Sequence, residues 1–380
     1  MLAQNEVIVG SEQSPRRLLH SLKAGSGNRI RRALTPVGRW LSREERRELN
    51  ALAAYSGLVH QAFHAMPFRP SVYPAVMVES KWEEASVLRP TESPSRREYD
   101  NAVHHYGHDI LLKRAANLPL VGKPLPFMLE HGVNYSEESC FEDPQPWVKS
   151  YLCMGPNRAE RLRDRYGANG IAVGPYINYA KPVIESSQLA ALKRRLGKVL
   201  LVIPVHTVAH VKRNWSASEM IRLIIDHCRS ANIDTVIWQS YWKDPPPQGL
   251  PREWILACNG HVSNPWFLDC QKTLLELSDQ MLTFTLGSHL GYALALGKNV
   301  LMARVEVEQD LSAASTIWQH RYSHEWKRRE QLMTELGVSA HTHQLHSLDR
   351  TRAMDCLNPY FGFDQKKDAE DLANALRGRA

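Results

Sequence analysis

A chain of 380 residues exceeds what one ordinary hydrophobic core holds, so two domains are expected. With 43% hydrophobic and 23% charged residues, the composition is globular and excludes disorder as the state of most of the chain. The net charge of +7 and pI of about 9.0 favour anionic partners: nucleic acid, anionic lipid headgroups or phosphorylated small molecules.

The six cysteines (Cys140, Cys153, Cys228, Cys258, Cys270 and Cys356) form no CxxC pair, and metal-ligand spacing is absent. No metal and no cofactor are therefore expected. Several of these thiols lie in apolar runs, which points to a reducing, cytoplasmic compartment. No signal peptide, no uncharged apolar run of about 18 residues and no fixed-period repeat is found.

Residues 1–70 form a basic, helix-prone leader. Arg16, Arg17, Lys23, Arg29, Arg31, Arg32 and Arg39 alternate with Leu18, Leu19, Leu22, Ile30, Leu34, Val37, Trp40 and Leu41. Such a mixture suits peripheral contact with the anionic inner face of a membrane. A solvated helical face packed on the first domain is the alternative.

From residue 71 the pattern changes. Ala75–Val78 is a short strand candidate, 89–98 a loop and Tyr106–Ala116 a helix. Phe127–Leu129, Trp147–Met154 and Ile171–Val173 are strand candidates. A helix through Glu160 and Tyr166 precedes the last of them. This strand–loop–helix rhythm over 71–185 predicts a first parallel-sheet domain. A second series over 186–305 opens with a lead-in helix and the apolar run Val199–Val205, as a strand covered on both faces should read. Ser216 and Glu219 form a capping box for a helix to about Ala231. Strands follow at Thr235–Tyr241, Ile255–Cys258, Met281–Thr285 and Asn299–Met302. Helices are expected at Phe267–Leu277 and from Gly287–Ser288 through Leu296. Residues 306–380 read as a helical tail, with helices at about Ala313–Leu336 and Lys367–Leu376. The expected fold is α/β: two Rossmann-like domains facing a cleft, with a basic helical leader and a helical tail.

Ligands bind at the carboxyl ends of parallel strands, so residues just after strands are the candidates. Glu130-His131-Gly132 follows a buried strand. The His suits a general base taking a proton from a hydroxyl, or else only hydrogen-bonds its loop. Glu130 or Asp109 is expected beside His131, raising its pKa and fixing its tautomer; both are the next candidates for the base. His206, His210, Lys212 and Arg213 lie in one segment after Val199–Val205. They read as a phosphate seat beside a helix start, or as a solvated basic loop. Thr285, Gly287, Ser288 and His289 form the second half of that seat, with Gly291 letting the helix approach the sheet.

These segments resemble GT-B glycosyltransferases, and within them the bacterial surface-polysaccharide and CDP-glycerol glycerophosphotransferase-like enzymes. The likeness covers roughly residues 125–303. It is carried by Glu130-His131-Gly132, Met154-Gly155-Pro156-Asn157-Arg158, Ile203-Pro204-Val205-His206 through Arg213, and Ser278-Asp279 through Ser288. Thr283-Phe284-Thr285-Leu286-Gly287-Ser288 lacks the acidic residue of the glycerophosphotransferases, which favours a sugar donor. The resemblance implies metal-independent glycosyl transfer from a nucleotide-sugar donor to a glycan or lipid-linked acceptor, with His131 as base. A nucleotide-sugar epimerase of the same plan is the alternative, using Glu130 and Asp279 as carboxylates. Nucleic-acid binding finds no RNA-binding aromatic signature or helix-turn-helix signal.

Overall fold

The computed structural model describes residues 105–118, 125, 127–136, 150–206, 211–241, 244, 246–259, 267–312, 314–338 and 344–377. The leader, the Ala75–Val78 strand candidate, the 89–98 loop and His210 lie outside them.

Among the described residues the first unit holds α1 (His108–Ala115), β1 (Met128–Leu129), β2 (Ser150–Cys153), α2 (Pro156–Tyr166) and β3 (Asn169–Ala172). β1, β2 and β3 form a parallel sheet in that order, with Leu129 beside Leu152 and Leu152 beside Ile171. α2 starts with Pro156 at its first position, where the ring fixes a helical φ and no backbone donor is lost. It closes on Gly167, whose φ of 60° suits a residue without Cβ. Leu152 faces the large core, while Tyr151 and Cys153 pack with Ala159 and Leu162 of α2 on the opposite face.

The second unit holds α3 (Ser186–Leu196), β4 (Val199–Ile203), β5 (Lys212–Trp215), α4 (Ala217–Ala231), β6 (Thr235–Gln239), β7 (Ile255–Ala257), α5 (Phe267–Leu277), β8 (Gln280–Thr283), α6 (Ser288–Ala295) and β9 (Asn299–Met302). After these come β10 (Val307–Asp310), α7 (Thr316–Glu335), β11 (His346–Ser347), α8 (Arg350–Phe361) and α9 (Ala369–Leu376). The main sheet has the order β11-β9-β8-β4-β6-β7, with only the edge strand β11 antiparallel. All five residues of β4 are buried: Val199, Leu201 and Ile203 enter one core, and Leu200 and Val202 the other. This accounts for its unbroken apolar sequence. The chain leaves β4 toward β6 and β7, then returns to place β8 on the other side. The sheet's topological switch point is therefore between β4 and β8, and the crevice outside their carboxyl ends is where ligands bind in such sheets.

Four expectations change. Ser216 does precede α4, but its side chain caps no amide and instead bonds the Ser218 hydroxyl, so the capping box is not formed. Lys212 and Arg213 are not in a loop: they pair as β5 with Asp310 and Gln309 of β10. Gly291 serves helix packing rather than approach to the sheet, since a Cβ there would meet the Phe361 ring at 2.1 Å. The tail is not purely helical: β10 and β11 lie in it, and it contains an additional helix, α8, with Pro359 inside it.

α8 and the segment after it return to the first unit. A Cβ on Gly155 would lie 2.4 Å from the Tyr360 backbone, so only glycine admits this crossing. Tyr179 Oη accepts from Lys367 N at 2.9 Å and donates to Val173 O at 2.6 Å. Arg114 of α1 grips Asp269 of α5 through two nitrogens at 2.9 and 2.6 Å, the fork geometry of a strong ion pair. Asp269 also accepts Lys181 N at 2.9 Å. One core cluster accordingly runs through residues of both sheets.

Gly291→Ala should destabilise the protein by about 1–3 kcal/mol by overpacking against Phe361. Combining it with Phe361→Ala should cost less than the sum of the single changes. Urea unfolding of the four proteins tests this. Additive losses would show that the ring does not fill the space above Gly291.

Candidate functional site

The strand ends that carry the candidate residues come together. β1 runs into Glu130-His131-Gly132, and the Val133 amide donates to Ser288 Oγ at 3.2 Å, at the first turn of α6. The carboxyl end of the first sheet thus touches the switch-point side of the second. Ser288 is placed at this contact as an acceptor, so its oxygen already serves one partner.

The loop 133–136 is held from both units. Arg161 of α2 donates to the carbonyls of Asn134, at 3.3 Å, and Ser136. Glu325 of α7, 3% exposed, accepts from the amides of Tyr135 at 3.0 Å and Ser136 at 2.8 Å. Backbone groups withdrawn from water require such partners.

His131 is half-buried and faces two rings from the segment before α1, His105 at 5.3 Å edge-on and Tyr106 at 6.4 Å. Tyr106 stands at φ 56° and is followed by Gly107 at φ 69°. A left-handed aromatic residue costs of order 1 kcal/mol, and here the turn places the ring between His131 and Phe267, 4.7 Å from the latter. Burial is the main cause that lowers the His131 pKa, to about 4. The Arg158 charge adds to it and Glu130 opposes it. The expectation of a raised pKa is therefore corrected: desolvation outweighs the neighbouring carboxylate. A neutral ring is the form that accepts a proton.

Glu130 and Asp109 are placed differently from His131. The Glu130 carboxylate turns inward and accepts the Met154 amide at 2.8 Å, and burial raises its pKa against the pull of Arg158. Asp109 is 1% exposed on the first turn of α1, in electrostatic contact with Lys113.

On the second unit, His206 follows β4 and its ring lies 4.9 Å from Tyr241, just beyond β6. Tyr241 acts electrostatically on Tyr106, linking this group to that around His131. His289 Nε2 and Thr283 Oγ1 are 2.6 Å apart, and the ring folds over Gly287, where a Cβ would meet it at 2.5 Å. Burial, followed by the fields of His206 and Arg329, lowers its pKa to about 3. The Thr285 amide faces Thr283 Oγ1 at 3.3 Å. Arg213 donates through Nη1 to His206 O at 3.2 Å, and burial lowers its pKa to about 10, so it remains a cation. His206, Arg213, Thr285, Gly287, Ser288 and His289 are thus brought to one sheet end. Asp279 is not: it accepts the Val199 amide at 2.9 Å at the opposite ends of β4 and β8. That removes a carboxylate from the epimerase alternative. The charged half of the Ser278-Asp279 segment lies away from the strand ends that carry the candidates.

The residues missed from sequence are His105, Tyr106, His108, Arg158, Tyr241, Glu325 and Arg329. The run His104-His105-Tyr106-Gly107-His108 was the available signal for three of them.

No protein-family model matches the chain, and no curated protein matches it. Among solved structures, similarity is found to TcCGT1 in complex with UDP, with a TM-score of 0.30, 12% identity, and 61% of this chain and 51% of the other covered. Phytolacca americana UGT2 is similar both as the apo protein, at TM-score 0.28, and with UDP-2fluoro-glucose and pterostilbene, at 0.29. Identity is 12% in each, over 61% of this chain and 51% and 50% of theirs. The matched region spans about half the length of these neighbours.

The lowered pKa values of His108 (about 3), His131 and His289 set a pH dependence. Their unfolded values are about 6.5, so the unfolded chain binds more protons below that pH. This stability is complete above about pH 6.5 and is lost as pH falls toward the folded values. Urea unfolding at pH 7 and pH 5 should show His289→Gln losing about 1–2 kcal/mol less than the wild type over that interval. Equal losses would mean that His289 is not held neutral.

Proposed function

We propose that the chain is a glycosyltransferase of GT-B-like plan, moving a sugar from a nucleotide-activated donor to a hydroxyl of a bacterial surface glycan or lipid-linked acceptor. On this reading residues 71–185 and 186–305 are the acceptor and donor domains facing a cleft. The observation that carries it is the seating of the His131 loop on the first turn of α6 beside the β4–β8 switch point. A proton acceptor on one sheet end thereby stands opposite a cationic, amide-rich sheet end on the other.

The donor phosphates would lie against Arg213, Thr285, Gly287, Ser288 and His289. Lys212 is assigned to the same segment. His206 lines the passage toward Tyr241. The acceptor hydroxyl would approach His131, whose neutral ring takes the proton as the sugar bond forms. Rate enhancement then comes from positioning and from meeting the charge on the departing phosphate with Arg213 and the helix start rather than with a metal. Glu130 serves by holding Met154 and setting the field at His131, and Asp109 by its charge near Lys113. Among the described residues no helix is long and apolar enough to cross a membrane. A lipid-linked acceptor would be met by the basic leader lying on an anionic surface.

Incubation with labelled nucleotide sugars, with and without lipid-linked acceptors, tests the reading: transfer is expected from one donor. His131→Ala should lower turnover by about 100- to 10,000-fold with nucleotide affinity nearly intact. Arg213→Ala should weaken nucleotide binding by about 1.5–3 kcal/mol. In the wild type, kcat/KM should show no loss from His131 protonation until the pH nears 4. A folded His131→Ala protein with normal turnover would remove the base assignment.

Removing residues 1–41 should reduce flotation with anionic liposomes. Equal partitioning of both forms would leave the leader without a membrane role.

A further inference from the structure

Two residues of α7 join the two sides of the site. Glu325 accepts the Tyr135 and Ser136 amides, four and five residues after His131 in the same loop. Arg329, one turn further along α7, donates through Nε to Glu325 Oε1 at 2.9 Å and lies over the Tyr135 ring at 5.5 Å. The Glu325 bond engages the Nε edge of the guanidinium, and the ring contact is made through Cζ. Its terminal nitrogens donate to no other group among the described residues.

Arg213 of β5 comes within electrostatic reach of Arg329, with Tyr322 and Asp244 also facing it. Its Nη1 bonds the His206 carbonyl, but its Nε is buried with no hydrogen-bond partner among the described residues. A buried guanidinium donor without an acceptor, within electrostatic reach of a second guanidinium with an open edge, is suited to an oxyanion.

We propose that Arg213 and Arg329 jointly seat a phosphate of the activated donor, and that Glu325 couples this seat to the loop bearing His131. The naming of the phosphate as the donor's rests on the transferase reading; the seat itself does not. An anion on the terminal nitrogens of Arg329 holds its Nε edge against Glu325. Glu325 in turn holds the 135–136 amides, which fixes the loop that presents His131. Arg329 is a binding residue and Glu325 a positioning residue. Coupling of this kind is reciprocal, so an ordered loop also favours the occupied seat.

Calorimetric titration of the full chain with inorganic pyrophosphate, together with hydrogen exchange of the peptide 131–136, tests both halves. Wild-type protein should bind pyrophosphate, and Arg213→Gln and Arg329→Gln should each bind it at least about tenfold more weakly. Pyrophosphate should slow exchange of 131–136 in the wild type but not in Glu325→Gln, which still binds it. Arg329→Lys keeps a charge but loses the Nε edge. It should recover part of the affinity without the slowing, and it tests the same link should Glu325→Gln not fold. Wild-type affinity in both Arg→Gln variants would overturn the seat. Exchange unaltered in the wild type, or slowed equally in Glu325→Gln, would overturn the coupling. A seat that behaves as stated in a protein that consumes no nucleotide sugar would refute the transferase reading alone. Full transfer by both Arg→Gln variants would refute the seat alone.

Discussion

The approach of the Arg350–Phe361 helix to two glycines fixes how the strand ends meet. Tyr360 lies against Gly155, after β2, and Phe361 against Gly291, in α6. Any side chain at either glycine would overlap the helix. Gly362 then turns the chain at φ 59°, where a Cβ would lie 2.6 Å from Met154 O. One helix end therefore packs on the strand–helix turn after β2 and on α6. The Val133–Ser288 and Glu325–loop hydrogen bonds are made between elements held together in this way. The Arg114–Asp269 pair ties α1 to α5 at another point.

Burial of titratable groups sets the charge states in this region. Burial lowers the pKa of His108, His131 and His289, and the fields of His131, of Arg158, and of His206 and Arg329, respectively, act in the same direction. Guanidinium groups remain charged under the same treatment, as Arg213 does. The site therefore offers permanent cations on the second unit and a proton acceptor on the first. The proposed transfer from a phosphate-bearing donor to a hydroxyl would use that division.

Much of the second unit was legible because its signals are local. The apolar run of β4, the helix Phe267–Leu277 and the strand Asn299–Met302 are set by periodicity and by the breaks around them. Candidate residues at strand ends followed from the same pattern, and the loop that bears His131 does meet Ser288, through the Val133 amide. What stayed hidden depends on partners distant in sequence. Lys-Arg-Asn-Trp becomes a strand only because Val307–Asp310 lies alongside it. The helix Arg350–Phe361 mixes polar and apolar residues and contains Pro359, so packing against glycines rather than propensity fixes it. Glu325 stands in a charged helix where nothing local marks it as a buried acceptor for a loop 190 residues away. Glu130 and His131 show the same limit. Adjacency suggested a raised imidazole pKa, but burial set the opposite sign.

On the proposed reading an activated donor lies at the carboxyl ends of β4 and β8, facing the His131 loop. A crystal structure with a bound nucleoside diphosphate tests it most directly. The phosphates are expected within hydrogen-bond reach of Arg213 and the first turn of α6, with His131 across from the terminal phosphate. A nucleotide bound at the opposite strand ends, beside Asp279, or on the outer helices would contradict the account.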